Sequence, residues 1–159
     1  MTRRCAALLL LGALAASGCA TPWWLHLPPR LADCPGAIPS TEALPAGDLV
    51  WRDRVRYRGD RVDVGFALVA EKRGDRLALV ALNAFGARVL SLVQQGHAVE
   101  VDARLGPLLQ VPPETLLRDW HTARAAGVEP PGSVAIARPA CGYEASFVAE
   151  SRAFLGDPE

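Results

Sequence analysis

The sequence has no excess of charge of either sign, no long block of like charges and no low-complexity tract. Lysine plus arginine and aspartate plus glutamate each number 17 among 159 residues. A chain that binds phosphates through charge needs a clear excess of basic residues. Nucleic acid is therefore not an expected partner, and length and composition predict one globular domain.

Motifs for catalysis, metals and nucleotide cofactors are also missing. No serine has the glycine-flanked setting of a nucleophile elbow, and there is no P-loop, dinucleotide fingerprint or paired metal motif. His26, His97 and His121 stand apart from any nucleophile motif, and we expect them on the surface. We therefore predict that the protein is not an enzyme and uses no cofactor or metal ion.

The N-terminal hydrophobic run is too short to span a bilayer. Cys5–Ala16 covers twelve residues, whereas a membrane-spanning helix needs about 20. Arg3 and Arg4 precede the run and small residues follow it, which is the three-part pattern of an export signal. The alternative is an ordinary hydrophobic helix, but the pattern favours a signal peptide over residues 1–18.

The end of this segment points to lipid attachment. The stretch Leu14-Ala15-Ala16-Ser17-Gly18-Cys19 resembles the lipobox of bacterial lipoproteins, although leucine is commoner than alanine three residues before the cysteine. The resemblance implies that Cys19 is diacylglyceryl-modified and N-acylated, and at about 0.8 kcal/mol per buried methylene such chains anchor a protein firmly. Ala20 stands where an aspartate would signal inner-membrane retention in enteric bacteria. We therefore expect a lipid anchor in the outer membrane, on its periplasmic face.

The two remaining cysteines flank the folded part of the chain. Prolines recur between Ala20 and Gly47, which predicts a lipidated tether over residues 19–47 and a domain over residues 48–159. Cys34 and Cys141 remain once Cys5 has left with the signal, and in an oxidising compartment they predict a disulfide around a loop of about a hundred residues. Two free buried thiols are the alternative.

Beyond Asp48 the residues alternate between polar and apolar with the period of two that is typical of half-buried strands. The third predicted strand is apolar on both faces, as expected of a central strand covered on both sides. Together the strands are predicted at residues 51–58, 62–68, 77–84, 88–94, 98–105, 133–137 and 143–149.

One helix is predicted at about residues 113–126. Pro113 and Glu114 suit its first turn, Leu116, Leu117 and Trp120 lie at helical spacing, and Gly127 follows its end. Consecutive hairpins with one inserted helix predict a mainly β (α+β) domain, built as an antiparallel sheet with the helix on one face.

A row of arginines occupies one face of the first predicted strand, at positions 52, 54, 56 and 58. Cations on one strand face could bind acidic headgroups. The alternative is a solvated face with acidic neighbours, for which Asp60, Asp63 and Glu71 are available. We favour the solvated face.

Three stretches carry a resemblance to a known family. They are Leu82–Leu92, Pro107–Glu114 and Leu116–Trp120, and they resemble uncharacterised proteobacterial lipoproteins that accompany aryl polyene and related fatty-acid-type gene clusters. That family looks like a relative of the LolA/LolB lipoprotein carriers. The corresponding positions are Gly86, Arg88, Leu92, Pro112, Pro113, Glu114, Leu116, Leu117 and Asp119.

The resemblance implies a curved antiparallel sheet, or half-open barrel, whose helix covers an apolar concavity for acyl chains. For each candidate residue the alternative is an ordinary place in the core. Only about thirty residues follow the helix, so a smaller sheet with a shallow or absent cavity is also open. The candidates are Val64, Phe66, Leu68, Leu79, Leu90, Leu92, Val101, Leu116 and Trp120.

The first functional hypothesis is an outer-membrane lipoprotein that binds or transfers an acyl-containing molecule without covalent chemistry. The second is a structural or assembly module of an envelope complex, with a filled core and envelope protein partners. An apolar cavity would favour the first, and a solid core with an exposed apolar patch the second. An unrecognised enzyme would instead need a cleft with polar groups of shifted pKa.

Overall fold

The fold is one open antiparallel sheet with a single helix packed on it. The computed structural model describes residues 29–102 and 110–156. The predicted signal peptide, Cys19, the first part of the tether and residues 107–109 of the resembling stretches lie outside these ranges. The elements are β1 (Leu49–Gly59), β2 (Val62–Arg73), β3 (Arg76–Leu82), β4 (Arg88–Gln95), β5 (Ala98–Asp102), α1 (Pro113–Ala125), β6 (Ser133–Arg138) and β7 (Tyr143–Phe154).

The strands lie in the order β5-β4-β3-β2-β1-β7-β6, and each neighbouring pair is antiparallel. Strands β1 to β5 follow one another as hairpins, but the chain then crosses the sheet through α1 and returns to pair β7 with the free side of β1. The sheet does not close into a barrel, so the predicted fold class, mainly β with a curved antiparallel sheet and one covering helix, is confirmed.

Helix α1 forms where the proline pattern placed it. Pro113 is the first helical residue, and its missing N–H costs nothing there because no intrahelical partner exists for it. Glu114 in the first turn and Arg124 in the last turn complement the helix dipole. The chain leaves the helix through Gly127, whose φ of 69° favours glycine.

The ends of β3 and β7 differ from the predicted ranges. Strand β3 stops at Leu82 rather than Ala84, because the Asn83 side-chain oxygen accepts the backbone N–H groups of Phe85 and Ala87 and so closes a turn. Strand β7 runs to Phe154 rather than Ala149, past an irregularity opposite Arg52 and Asp53 in β1. The alternation weakens there because a bulge shifts the side chains by one position.

The two faces of the sheet differ in cover. The inner face packs against α1 and against the segment from Leu31 to Leu44, and together they form the hydrophobic core. The outer face carries side chains that are exposed or half-buried. Within the described ranges, no helix has the length and apolarity needed to cross a membrane.

Candidate functional site

The nine candidate cavity residues lie on the inner face of the sheet or on α1. Val64 is half-buried, Val101 is 36% exposed, and Phe66 is buried. The other six are at most 1% exposed, so almost none of their surface is open to water. At these positions the inner face is a filled core. The six are Leu68, Leu79, Leu90, Leu92, Leu116 and Trp120.

A buried carboxylate on α1 joins the helix to three side chains of the sheet half formed by β1, β7 and β6. Asp119 is fully buried and accepts hydrogen bonds from the hydroxyls of Tyr57 at 3.2 Å and Tyr143 at 2.8 Å. Arg138 adds an ion pair at 2.9 Å. Burial and the neighbouring carboxylate raise the pKa of both tyrosines, so both hydroxyls remain donors.

A second buried carboxylate projects from the inner face of β1. Asp53 accepts the indole N–H of Trp120 at 3.0 Å and pairs with Arg124 at 3.2 Å. Burial raises the pKa of Asp53, while Arg124 and Trp120 oppose that rise. Both carboxylates are at most 1% exposed, and their contacts bind the helix to the sheet.

The prediction that the histidines lie on the surface is correct for His97 and wrong for His121. His97 is exposed, whereas His121 is buried against Gln94, with its Nε2 2.8 Å from the amide oxygen. The Gln94 NH₂ donates to the carbonyls of Pro39 and Gly96, so its oxygen is the acceptor and His121 Nε2 carries the proton. Burial lowers the pKa of His121 to about 4, which keeps the ring neutral.

The predicted pair Cys34 and Cys141 forms a disulfide in the structure. Their Cα atoms are 5.6 Å apart and 107 positions separate them in sequence. The bond joins the segment before β1 to the turn between β6 and β7. Arg118 of α1 donates to the carbonyls of Cys34 and Gly36, so the segment is also held to the helix.

The arginine row lies on the outer face, as the alternation predicted. Arg56 binds Asp63 through two N–H groups at 2.7 Å each, and Arg54 pairs with Glu150. The Asp63 hydrogen bond raises the pKa of Arg56, and the same bond lowers the pKa of Asp63. Of the acidic neighbours proposed from sequence, Glu71 instead pairs with Arg73.

The outer face of β2 and β3 carries an apolar strip, which we call the outer strip. Its β3 residues are half-buried rather than covered and Ala67 is exposed, so the prediction of cover on both sides of β3 is wrong for this face. Cross-strand pairing places Val69 against Val80 and Ala67 against Leu82. The outer strip consists of Ala67, Val69, Ala78, Val80 and Leu82.

Arginines border the outer strip on both sides at its Ala67–Leu82 end. Ala67 pairs with Arg54 on β1, and Leu82 pairs with Arg88 on β4. Directly opposite residues share a face of the sheet, so one row runs Arg54, Ala67, Leu82, Arg88 across four strands. At about 4.8 Å per strand the two arginine Cα atoms are about 14 Å apart. The surface between them is apolar with cationic borders.

A groove of about 480 Å³ opens at the end of the outer strip nearest the β3–β4 turn. We call it the outer groove. Sequence reasoning did not identify it, although the apolar outer positions of β3 were a signal that this face is not an ordinary solvated one. Its lining residues are Arg54, Val55, Arg56, Asp63, Gly65, Phe66, Ala67, Asn83 and Ala84.

The lining of the outer groove offers hydrogen-bond donors, one carboxylate and apolar contact. Arginine and amide N–H groups border it, and Gly65 and Ala67 provide a small apolar floor. Among residues 29–102 and 110–156, no group of three histidine, cysteine, aspartate or glutamate side chains could hold a metal ion. The arrangement suits recognition of a molecule with an anionic end and an apolar body.

A family model described as "Protein of unknown function (DUF3261)" matches residues 51–138. This range runs from Trp51 in β1 through α1 to Arg138 in β6, and it includes the outer strip and the outer groove. No curated protein matches the chain.

Proposed function

The chain belongs to the DUF3261 family, whose description assigns no activity, and from this premise we propose that it binds an acyl-containing molecule of the cell envelope without covalent catalysis. The supporting observation is the outer strip with its arginine borders. Val69, Val80 and Leu82 offer apolar contact that a ligand reaches without disturbing the core. Arg54 and Arg88 supply positive charge beside it.

The same proposal includes an acyl site on the inner face, as in the LolA/LolB carriers. Such a site requires a larger structural change. Leu90, Leu92 and Leu116 are at most 1% exposed, so the elements packed on the inner face must separate before a chain can enter. Displacing α1 would break the hydrogen bonds that Asp53 and Asp119 make between the helix and the sheet. We therefore place the first contact with an acyl ligand on the outer face.

The second candidate function is an assembly module of an envelope complex. It is favoured by the six fully packed cavity candidates and by the outer strip, because an accessible apolar patch outside a packed core is typical of a protein interaction surface. Phe85 adds to this surface, since it is 95% exposed at the tip of the β3–β4 turn. In this reading a protein segment, rather than an acyl chain, covers the outer strip.

Native mass spectrometry of the mature chain, released from detergent in the gas phase, separates these two candidates. We expect an added mass of a fatty acid or phospholipid beyond the acyl groups on Cys19. Val80→Glu in the outer strip should abolish that mass, while Ala135→Glu, on the same face of edge strand β6, should retain it. A chain with no added lipid, and no uptake of supplied palmitate, would favour the assembly module.

We also propose that the protein is a lipoprotein anchored by Cys19 in the outer membrane, with its domain in the periplasm. The lipobox resemblance and Ala20 support this location. Cys19→Ala should leave the precursor at full length and without lipid when cells are labelled with a palmitate analogue. Cys5→Ser is the matched control and should be processed and labelled normally. Processing and labelling of the Cys19→Ala chain would refute the anchor.

A further inference from the structure

The rim of the outer groove carries hydrogen-bond donors that are held in place. Arg56 is fixed by its paired bonds to Asp63, and Arg54 by Glu150. Each guanidinium has further N–H groups beyond those used in these pairs. The Asn83 side-chain oxygen is occupied by the turn, which leaves its NH₂ group as a donor. The rim therefore has N–H groups that can donate to an anion in the groove.

The floor of the outer groove exists because position 65 has no side chain. Gly65 lies opposite Arg56 in extended backbone that any residue can adopt. A Cβ added there would meet only the Val55 carbonyl oxygen, at 3.6 Å, which is ordinary van der Waals contact. Backbone geometry therefore does not require glycine here, and its effect is to keep space open beside the arginines.

We propose that the outer groove binds the carboxylate of a free long-chain fatty acid between Arg54 and Arg56, with the acyl chain lying along the outer strip. This inference rests on the proposed function and names the ligand and its site. The groove volume of about 480 Å³ lies within the range of small-molecule sites. From Leu82 to Ala78 the strip extends about 13 Å along β3, which gives several methylenes apolar contact.

Shape favours a single free acid over a membrane surface. The groove is a concavity with arginine side chains in its lining, whereas a bilayer presents a flat surface. A carboxylate matches the planar fork of arginine with two parallel hydrogen bonds. Asp63 also lines the groove, so a ligand carboxylate shares the Arg56 guanidinium with Asp63.

The test uses the full-length chain in the membranes of cells that express it. A photoreactive palmitic acid is added, crosslinked by light, and mapped by peptide mass spectrometry. We expect saturable labelling of peptides that contain residues 65–67 and 83–84. The methyl ester of the same probe should label at least about tenfold less, because it has no charge for the arginines.

Two matched pairs of variants locate the site. Gly65→Val fills the floor of the groove and should reduce labelling about tenfold. Ala135→Val places a valine on distant β6 and should leave labelling unchanged. Arg54→Gln should weaken labelling to a similar extent, whereas Arg76→Gln, at the other end of the sheet face, should not. Circular dichroism of each purified variant checks that the sheet is intact.

Three other outcomes would each reject a different part of the proposal. Saturable labelling of Leu90 or Leu92 peptides, unchanged by Gly65→Val, would reject the outer groove but keep the proposed acyl function. Equal labelling by a photoreactive phosphatidylcholine in the bilayer would reject a free fatty acid as the ligand. Absence of saturable labelling anywhere would reject the proposed acyl function together with the groove.

Discussion

The indole N–H of Trp120 donates to the carboxylate of Asp53 at 3.0 Å, where α1 crosses the inner face of β1. The other oxygen of the same carboxylate pairs with Arg124, one helical turn further along. Trp51 packs edge-on against the Trp120 ring, with centroids 5.5 Å apart. One carboxylate thus fixes both the rotation and the position of the helix on the sheet.

Replacing Asp53 should destabilise the domain strongly. Asp53→Ala removes the partner of the indole N–H and leaves the buried Arg124 guanidinium without a counter-charge. Removing one member of a buried ion pair costs about 3–5 kcal/mol. Urea unfolding of the mature chain at pH 7 should show this loss in the free energy of unfolding.

Asp63→Ala is the matched control for that experiment. It removes a carboxylate that also pairs with an arginine, but the Asp63 and Arg56 side chains are about half exposed. Water replaces an exposed partner, so the free energy of unfolding should change little. Equal effects of the two substitutions would mean that Asp53 and Arg124 are solvated in solution.

Much of the fold could be predicted from the sequence because its signals are local. Strict alternation fixed which side of β1 faces the core, and a proline, an acidic first turn and a glycine marked the limits of α1. The pairing of β7 with β1 could not be predicted. Alternation assigns a face to each strand but not a neighbour, and this pairing joins segments more than eighty residues apart.

The sequence contains a signal for the two buried carboxylates that the alternation and helical spacing alone did not reveal. Asp53 lies between Trp51 and Val55 on the buried side of β1, and Asp119 shares the apolar face of α1 with Leu116 and Ala123. A charged residue at an apolar position predicts a buried partner. The partner itself depends on how α1 crosses the sheet, which no local pattern specifies.

Removing one of the tyrosine hydroxyls that donate to Asp119 should lower the free energy of unfolding less than Asp53→Ala does. Tyr143→Phe deletes one donor, while Tyr57 and Arg138 still bind the carboxylate. A buried hydrogen bond to a charged group contributes about 1.5–3 kcal/mol, so a loss near the lower end is expected in urea unfolding. Ser146→Ala, on the outer face, is the control and should change the free energy little.

Acid should weaken the fold through His121. Its pKa is about 4 in the folded chain and 6.5 as the ordinary value, so the unfolded chain binds a proton first as pH falls. The contribution of the neutral His121 to stability is therefore fully present above about pH 6.5 and is lost as pH falls towards 4. With allowance for solvent screening, the loss should be on the order of 2 kcal/mol.

A pair of variants isolates that contribution from other titrating groups. His121→Gln cannot take up a proton, so its free energy of unfolding should fall less between pH 6.5 and 4 than that of the unmodified chain. His97→Gln changes an exposed histidine and should keep the original pH dependence. Identical pH dependence in all three chains would contradict the low pKa of His121.

Reducing the disulfide should lower stability while leaving the sheet folded. The bond between Cys34 and Cys141 closes a loop of more than a hundred residues, so its loss returns considerable freedom to the unfolded chain. We expect Cys34→Ala with Cys141→Ala to cost about 2–4 kcal/mol in thermal unfolding. Adding a reductant should lower the melting temperature of the unmodified chain towards that of the double variant, and should not affect the double variant itself.

Because Arg118 also binds the Cys34 carbonyl, the segment before β1 should stay on α1 after reduction. A melting temperature of the unmodified chain that is insensitive to reductant would show that the two thiols are not joined in solution.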